Sequence, residues 1–306
     1  MEDMRAALHR ARAALRYDGL WWRHCAYLGS AYGPEWWKRG SPPVIATIIF
    51  ALIGPNRRGA AANMRQVLGT ADPLRAHAAA LRVFVEFAHC LSETLESFSP
   101  REQPVRIELP AADLIDRALR DGRGAVLVTG HLGNWDIAAK ALADYDRPIN
   151  LVMGRELNHT TREYVRTARE RAGVRVIYSD TSALAALNMV RALRDNELVA
   201  IQLDRRRGHR GVHQIPFFGR PAAFPTGPFM LARITGAPVI PVFAPRLGKR
   251  HYAIRYGTPV SLPRERPETA ALGAAMRSVV ADFEAVIREF PHQWFQFTPF
   301  WPRGAA

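Results

Sequence analysis

The chain has 306 residues, 48% of them hydrophobic and 23% charged, a balance that supports a sizeable core and excludes a disordered or collagen-like chain. Its formal net charge of +14 is carried almost wholly by arginine, since lysine occurs only at Lys38, Lys140 and Lys249. Such an excess predicts attraction to phosphate-bearing partners, whether nucleic acid, anionic lipid or a phosphorylated carrier.

Residues 1–100 read as a helical region. Met4, Leu8, Ala11 and Leu15 form an apolar stripe opposed by Arg5, Arg10, Arg12 and Arg16, a pattern that suits a helix lying in a membrane interface. Trp21, Trp22, Trp36 and Trp37, with Tyr27 and Tyr32 between them, suit a headgroup layer. An ordinary helix hairpin packed on the core uses the same residues. The apolar run Val44–Gly54 is bounded by Pro42, Pro43 and Pro55 and falls short of the ~18 residues a spanning helix needs. The charged stretch Arg5–Arg16 does not read as a signal peptide. The expectation is a protein in the cytoplasm, or on a membrane from that side. Two cysteines, Cys25 and Cys90, make no disulfide framework and lack zinc-site spacing, which fits buried thiols in a reducing compartment.

From Arg106 the pattern changes. Candidate strands are Gly124–Thr129, Ile149–Met153, Val174–Tyr178, Leu198–Leu203, Val239–Phe243 and Tyr252–Tyr256. Helical patterns at Leu114–Leu119, Asn134–Ala143, Thr160–Ala172, Ser182–Arg194 and Pro225–Thr235 separate most of them. A last helix carries Leu272, Met276, Val279, Phe283, Val286 and Phe290 and ends before Pro291. This alternation predicts an α/β fold, a sheet covered by helices on both faces. With no internal repeat and no obvious linker, residues 1–100 and 101–306 are expected to share one core.

The most informative segment is Ala125–Ala139, in which an apolar strand runs into Gly130-His131-Leu132-Gly133-Asn134-Trp135-Asp136. His131 falls at the carboxyl end of a strand, where open α/β sheets place their ligands. On one helix His131 and Asp136 would point about 140° apart, so they meet only if the chain bends between them, and Gly133 makes that bend cheap. A carboxylate at one ring nitrogen fixes the tautomer and makes the other nitrogen a general base. A satisfied structural histidine is the competing reading. Gly130 and Gly133 give only part of a dinucleotide fingerprint.

His-Leu-Gly-Asn-Trp-Asp, with its His-x4-Asp spacing, resembles the motif of the bacterial lysophospholipid acyltransferase superfamily and, more narrowly, of the lipid A biosynthesis acyltransferases, the lauroyl and myristoyl transferases. Later segments agree in order: Met153-Gly154-Arg155 with Leu157-Asn158; Gln202-Leu203-Asp204; Ile215-Pro216-Phe217-Phe218-Gly219; Thr235-Gly236-Ala237-Pro238; and Pro291-His292-Gln293-Trp294. The likeness covers roughly residues 50–301. Two departures are the absence of a spanning helix near the start and an ending, Phe295–Trp301, without closing basic residues.

The resemblance implies a mixed central sheet flanked by helices, with a helical N-terminal membrane-contacting region, on the cytoplasmic face of the bacterial inner membrane, peripheral or monotopic. It implies transfer of a fatty acyl chain from a thioester, on acyl carrier protein or coenzyme A, to a hydroxyl of a membrane glycolipid of the lipid A precursor type. Acceptors such as phosphatidylinositol mannosides, lysophospholipids or other glycolipids fit the same chemistry. His131 would be the general base and Asp136 its partner, with no covalent acyl-enzyme, metal or cofactor. Asn134, Arg155, Asp204, Phe218 and Gly219 would bind substrate, Arg155 through a phosphate and Asp204 by orienting Arg155 or the acceptor. Arg205, Arg206, Arg207 and Arg210 form the densest basic cluster, which suits an anionic headgroup or a solvated loop equally. Scattered arginines without zinc-finger spacing or an RNA-recognition signature argue against nucleic acid.

Overall fold

The structure, a computed structural model, describes residues 20–109, 113–143, 148–154, 167, 169–170, 173–179, 183–205, 211–263 and 269–301. The expected stripe at Met4–Leu15 lies outside them, as does most of the expected helix Thr160–Ala172.

Among the described residues, four helices precede the first strand: α1 (Leu20–Tyr32), α2 (Glu35–Leu52), α3 (Gly54–Val67) and α4 (Pro73–Ser97). Helix α4 starts firmly, because the Asp72 carboxylate accepts the Leu74 N–H at 2.8 Å and Pro73 opens the first turn. Helices α1, α2 and α3 all pack on it. Pro42 and Pro43, expected to bound the apolar run, instead lie inside α2. A proline there costs a ladder hydrogen bond, and burial of Pro42 and Ala46 holds the helix in place. Among the described residues, no helix is long and apolar enough to cross a membrane.

The α/β part runs β1 (Arg106–Glu108), α5 (Asp113–Leu119), β2 (Ala125–Thr129), α6 (Trp135–Ala143), β3 (Ile149–Met153), β4 (Val174–Tyr178), α7 (Ala183–Arg194), β5 (Leu198–Gln202), β6 (Val212–Phe217), β7 (Arg220–Pro225), α8 (Gly227–Thr235), β8 (Val239–Phe243), β9 (Arg246–Gly248), β10 (His251–Ala253), β11 (Arg255–Tyr256) and α9 (Thr269–Glu289). Six strands form the main sheet in the order β11-β8-β2-β5-β3-β4. All pairs are parallel except β11 with β8, so the sheet is mixed, as expected.

Alternate residues of the central strands enter different apolar clusters. Val126, Val128, Val239 and Phe243 join one; Ala125, Leu127, Ile240 and Val242 join the other. Both faces of the sheet are therefore buried, which explains why these strands read as continuous apolar runs rather than alternating ones. The first cluster also takes Met64, Val83 and Phe84 from the N-terminal helices.

The expected strand Tyr252–Tyr256 divides at Ile254. Its first part joins β1 and β9 in a three-stranded sheet, and its second becomes an edge of the main sheet. The β6–β7 hairpin, β1 and β9 were not expected from the pattern; β1 and β9 are three residues each, too short to show a period.

Candidate active site

Strands β2 and β5 are parallel neighbours in a register that pairs Thr129 with Gln202. Carrying that register two residues beyond both strand ends sets His131 beside Asp204, and the ladder persists through Leu203, whose N–H donates to the Thr129 carbonyl at 2.8 Å. The His131 Nδ1 lies 2.7 Å from Asp204 Oδ1, and the His131 backbone N–H donates to Asp204 Oδ2 at 2.8 Å. Asp204 is 1% exposed and His131 6%.

Burial alone would raise the Asp204 carboxyl; the charge of His131, its two hydrogen bonds and the Trp294 indole outweigh burial and hold it below the usual carboxylate value. With Nδ1 committed, Nε2 is the ring nitrogen left to meet a substrate, and the Trp135 ring stands edge-on to the imidazole at 5.1 Å.

The expected pairing of His131 with Asp136 is corrected by this geometry. Asp136 sits in the first turn of α6 and its Oδ1 accepts from Arg169 Nε at 2.7 Å, with both side chains largely buried. Helix α6 begins only at Trp135, and Gly133 turns the chain with φ 62°. A Cβ at Gly133 would stand 1.9 Å from the Ala244 carbonyl oxygen, so the bend is real. It places His131 over β5 rather than over its own helix.

The Asn134 side chain, expected to bind substrate, is buried and bonded within the protein. Its Oδ1 accepts from Thr94 Oγ1 at 2.9 Å and caps Ile137 N–H at 3.2 Å; its Nδ2 donates to the Cys90 carbonyl and to Tyr252 Oη. These bonds occupy the amide and fasten the motif to α4. Tyr252 in turn donates to Glu93, 2.5 Å away, and Glu93 accepts from Arg246 Nε at 3.0 Å.

Phe218 and Gly219 form the tip of the β6–β7 hairpin, with φ 50° and 75°. The Phe218 N–H donates to Glu284, its carbonyl accepts from Gln66, and Arg288 covers its buried ring at 4.7 Å. These contacts give the pair a turn-forming place in the structure. Arg155, Arg206, Arg207 and Arg210 lie outside the described residues.

Sequence reasoning assigned Asp204 to substrate and passed over Arg169, Trp294 and Gln296. Trp294 Nε1 donates to Asp204 Oδ2 at 3.0 Å, and Gln296 Nε2 donates to the Asp204 carbonyl at 2.9 Å. The available signal was a carboxylate at the end of the apolar run Leu198–Leu203, the position His131 occupies after its own strand.

Curated relatives include a phosphatidylinositol mannoside acyltransferase of Mycobacterium tuberculosis (strain ATCC 25618 / H37Rv), 29% identical over 191 residues, covering 62% of this chain and 58% of that protein. Another of the same name, from Mycolicibacterium smegmatis (strain ATCC 700084 / mc(2)155), is 30% identical over 186 residues, covering 60% of this chain and 59% of the relative. The chain thus spans a little under three-fifths of the length of these relatives. A family model described as "Bacterial lipid A biosynthesis acyltransferase" matches residues 8–303. With its fold, its motifs and nearly its whole length in agreement, the chain belongs to the bacterial lipid A biosynthesis acyltransferase family.

Proposed function

We propose that this protein transfers a fatty acyl group from a thioester, carried by acyl carrier protein or coenzyme A, to a hydroxyl of a membrane glycolipid. The observation that carries the reading is the buried His131–Asp204 pair at the carboxyl ends of adjacent strands. His131 Nε2 takes the proton of the acceptor hydroxyl as its oxygen attacks the thioester carbonyl. Asp204 holds the imidazolium that forms. Collapse of the tetrahedral adduct breaks the C–S bond, and the imidazolium returns its proton to the thiolate. His131, Asp204 and the two substrates account for every atom of this sequence.

The named relatives favour a phosphatidylinositol mannoside or similar glycolipid as acceptor, while the family match favours a lipid A precursor. Arg155 is assigned, from its place in the sequence, to a substrate phosphate. Residues 101–306 carry the chemistry and residues 1–100 associate with the membrane. In support, Trp36, Val44, Ile48 and Leu52 of α2 are between 54% and 78% exposed, a large apolar surface for a soluble face to present. This face supports a peripheral or monotopic attachment, which the reading assigns to the cytoplasmic side of the inner membrane.

The test is thioester consumption by purified protein offered phosphatidylinositol mannosides, lipid A precursors and lysophospholipids in turn. Turnover is expected with the mannosides first. Arg155→Lys should raise KM despite keeping the charge, because the bidentate fork is lost. Failure of every acceptor would end the reading.

A further inference from the structure

We infer that Trp294 is a positioning residue for acyl transfer, its indole N–H fixing the Asp204 carboxylate so that one oxygen faces His131 Nδ1. This rests on the reading of His131 as the base. The two carboxylate oxygens divide three donors: Oδ1 takes His131 Nδ1 at 2.7 Å, and Oδ2 takes the His131 N–H at 2.8 Å and Trp294 Nε1 at 3.0 Å. Without the indole, Oδ2 keeps only the His131 N–H among donors of the described residues. A fully buried carboxylate then loses a bond it cannot replace from solvent.

The chemistry of the donor suits the task. An indole N–H only donates, carries no charge and does not titrate. An arginine at this place would neutralise the carboxylate and weaken its hold on the imidazolium. A hydroxyl would be free to turn away. The indole draws a little electron density from Asp204, enough to keep the proton on the imidazole rather than on the carboxylate, while leaving the charge intact.

Trp294 is itself fixed. It is fully buried and meets Phe217, Phe283, Phe300 and Trp301 edge-on, with ring centroids 5.7, 6.3, 5.2 and 5.9 Å away. Its backbone bridges Leu132 in antiparallel fashion, with Phe295 N–H donating to the His131 carbonyl at 2.7 Å and Gly133 N–H to the Gln293 carbonyl at 3.0 Å. The segment Gln293–Phe295 thus binds the histidine loop through its main chain, while Trp294 at its centre binds the carboxylate through its side chain. Gln296 adds a second hold on Asp204, and Asn63 Nδ2 donates to the Gln296 carbonyl at 2.9 Å.

Among the described residues, the charged groups closest to the pair in sequence are Asp136, which is bonded to Arg169, and Arg205, which follows Asp204. The segment Trp294–Phe297 contributes neutral groups only. Removal of the indole should therefore act on the pair directly, making Asp204 a more basic partner for His131 than it is with the indole in place.

The experiment is Trp294→Phe in the full chain. It is expected to lower kcat about tenfold, the scale of one hydrogen bond, with KM for both substrates within about twofold, and to move the acidic limb of the pH–kcat/KM profile upward. A folded variant with unchanged kcat and profile overturns the proposal, since a packing role would lower Tm and leave the limb in place. Should the variant fail to fold, the wild-type indole N–H resonances decide. One of the seven tryptophans should resonate far downfield and move when Asp204→Asn is introduced; none doing so overturns the proposal. If wild-type protein acylates none of the acceptors, NMR titration of the His131 imidazole with and without Trp294→Phe still reads the coupling. An unchanged titration then sinks this inference independently of the acyl-transfer reading.

Discussion

His131 and Asp204 stand 73 positions apart in sequence and 2.7 Å apart in space, so the consequences of losing either are sharp. His131→Ala should lower kcat by about 10²- to 10⁴-fold with the fold intact, the worth of a general base. Asp204→Asn should fall in the same range, because an amide at Oδ1 favours the wrong tautomer. Single-turnover measurement of thioester loss checks both, and a folded His131→Ala enzyme of normal rate would refute the assignment. Asp136 acts differently. Its carboxylate is spent on Arg169, so Asp136→Asn and Arg169→Met should each impair turnover, and the double variant should lose no more than the worse single one. Additive losses in that cycle would show that Asp136 works apart from Arg169.

At the scale of elements, α2 is latched to α4 and to the β9–β10 turn through charges. Glu35 accepts from Arg250 Nη2 at 2.7 Å and pairs with Lys249, while Lys38 donates to Glu96 at 2.7 Å and Arg250 also reaches Glu96. Arg250 and Lys249 hold the Glu35 carboxyl at about 2, below its ordinary 4.5. A lowered folded-state value means that this contribution is complete above pH 4.5 and drains away as pH falls toward 2. Helix α2 should loosen in that window, followed by fluorescence of the adjacent Trp36 and Trp37, and Glu35→Gln should remove the part of the acid transition that this latch supplies. An identical acid titration in the variant would refute the latch. The outward face of the same helix yields a second expectation: replacing Trp36, Ile48 and Leu52 with serine should weaken binding to anionic vesicles. Rising salt should weaken it further by screening the arginines. Equal vesicle binding by the triple variant would mean that another surface makes the contact.

Across the whole molecule, the sequence was most legible where one chain segment decides its own form. The apolar runs of β2, β3, β4 and β8 and the stripe of α9 declare themselves locally, and so did the loop carrying His131. What lay hidden depends on register between distant segments. Nothing between residues 131 and 204 states that Thr129 faces Gln202, and so the carboxylate five positions along looked like the natural partner. Phe218-Gly219 hid its structural place for the opposite reason: the motif reads as a site, and nothing in it announces the hairpin tip that its positive φ values mark. The tie between Trp294 and Asp204 joins the reaction to the order in which the chain is made. A chain leaving the ribosome presents His131 first, Asp204 next and Trp294 a further 90 positions later, so the base and its partner emerge well before the indole that steadies them. A nascent chain can pair β2 with β5 and still lack the indole that steadies Asp204, so under the proposed mechanism acyl transfer waits for the aromatic segment to thread home.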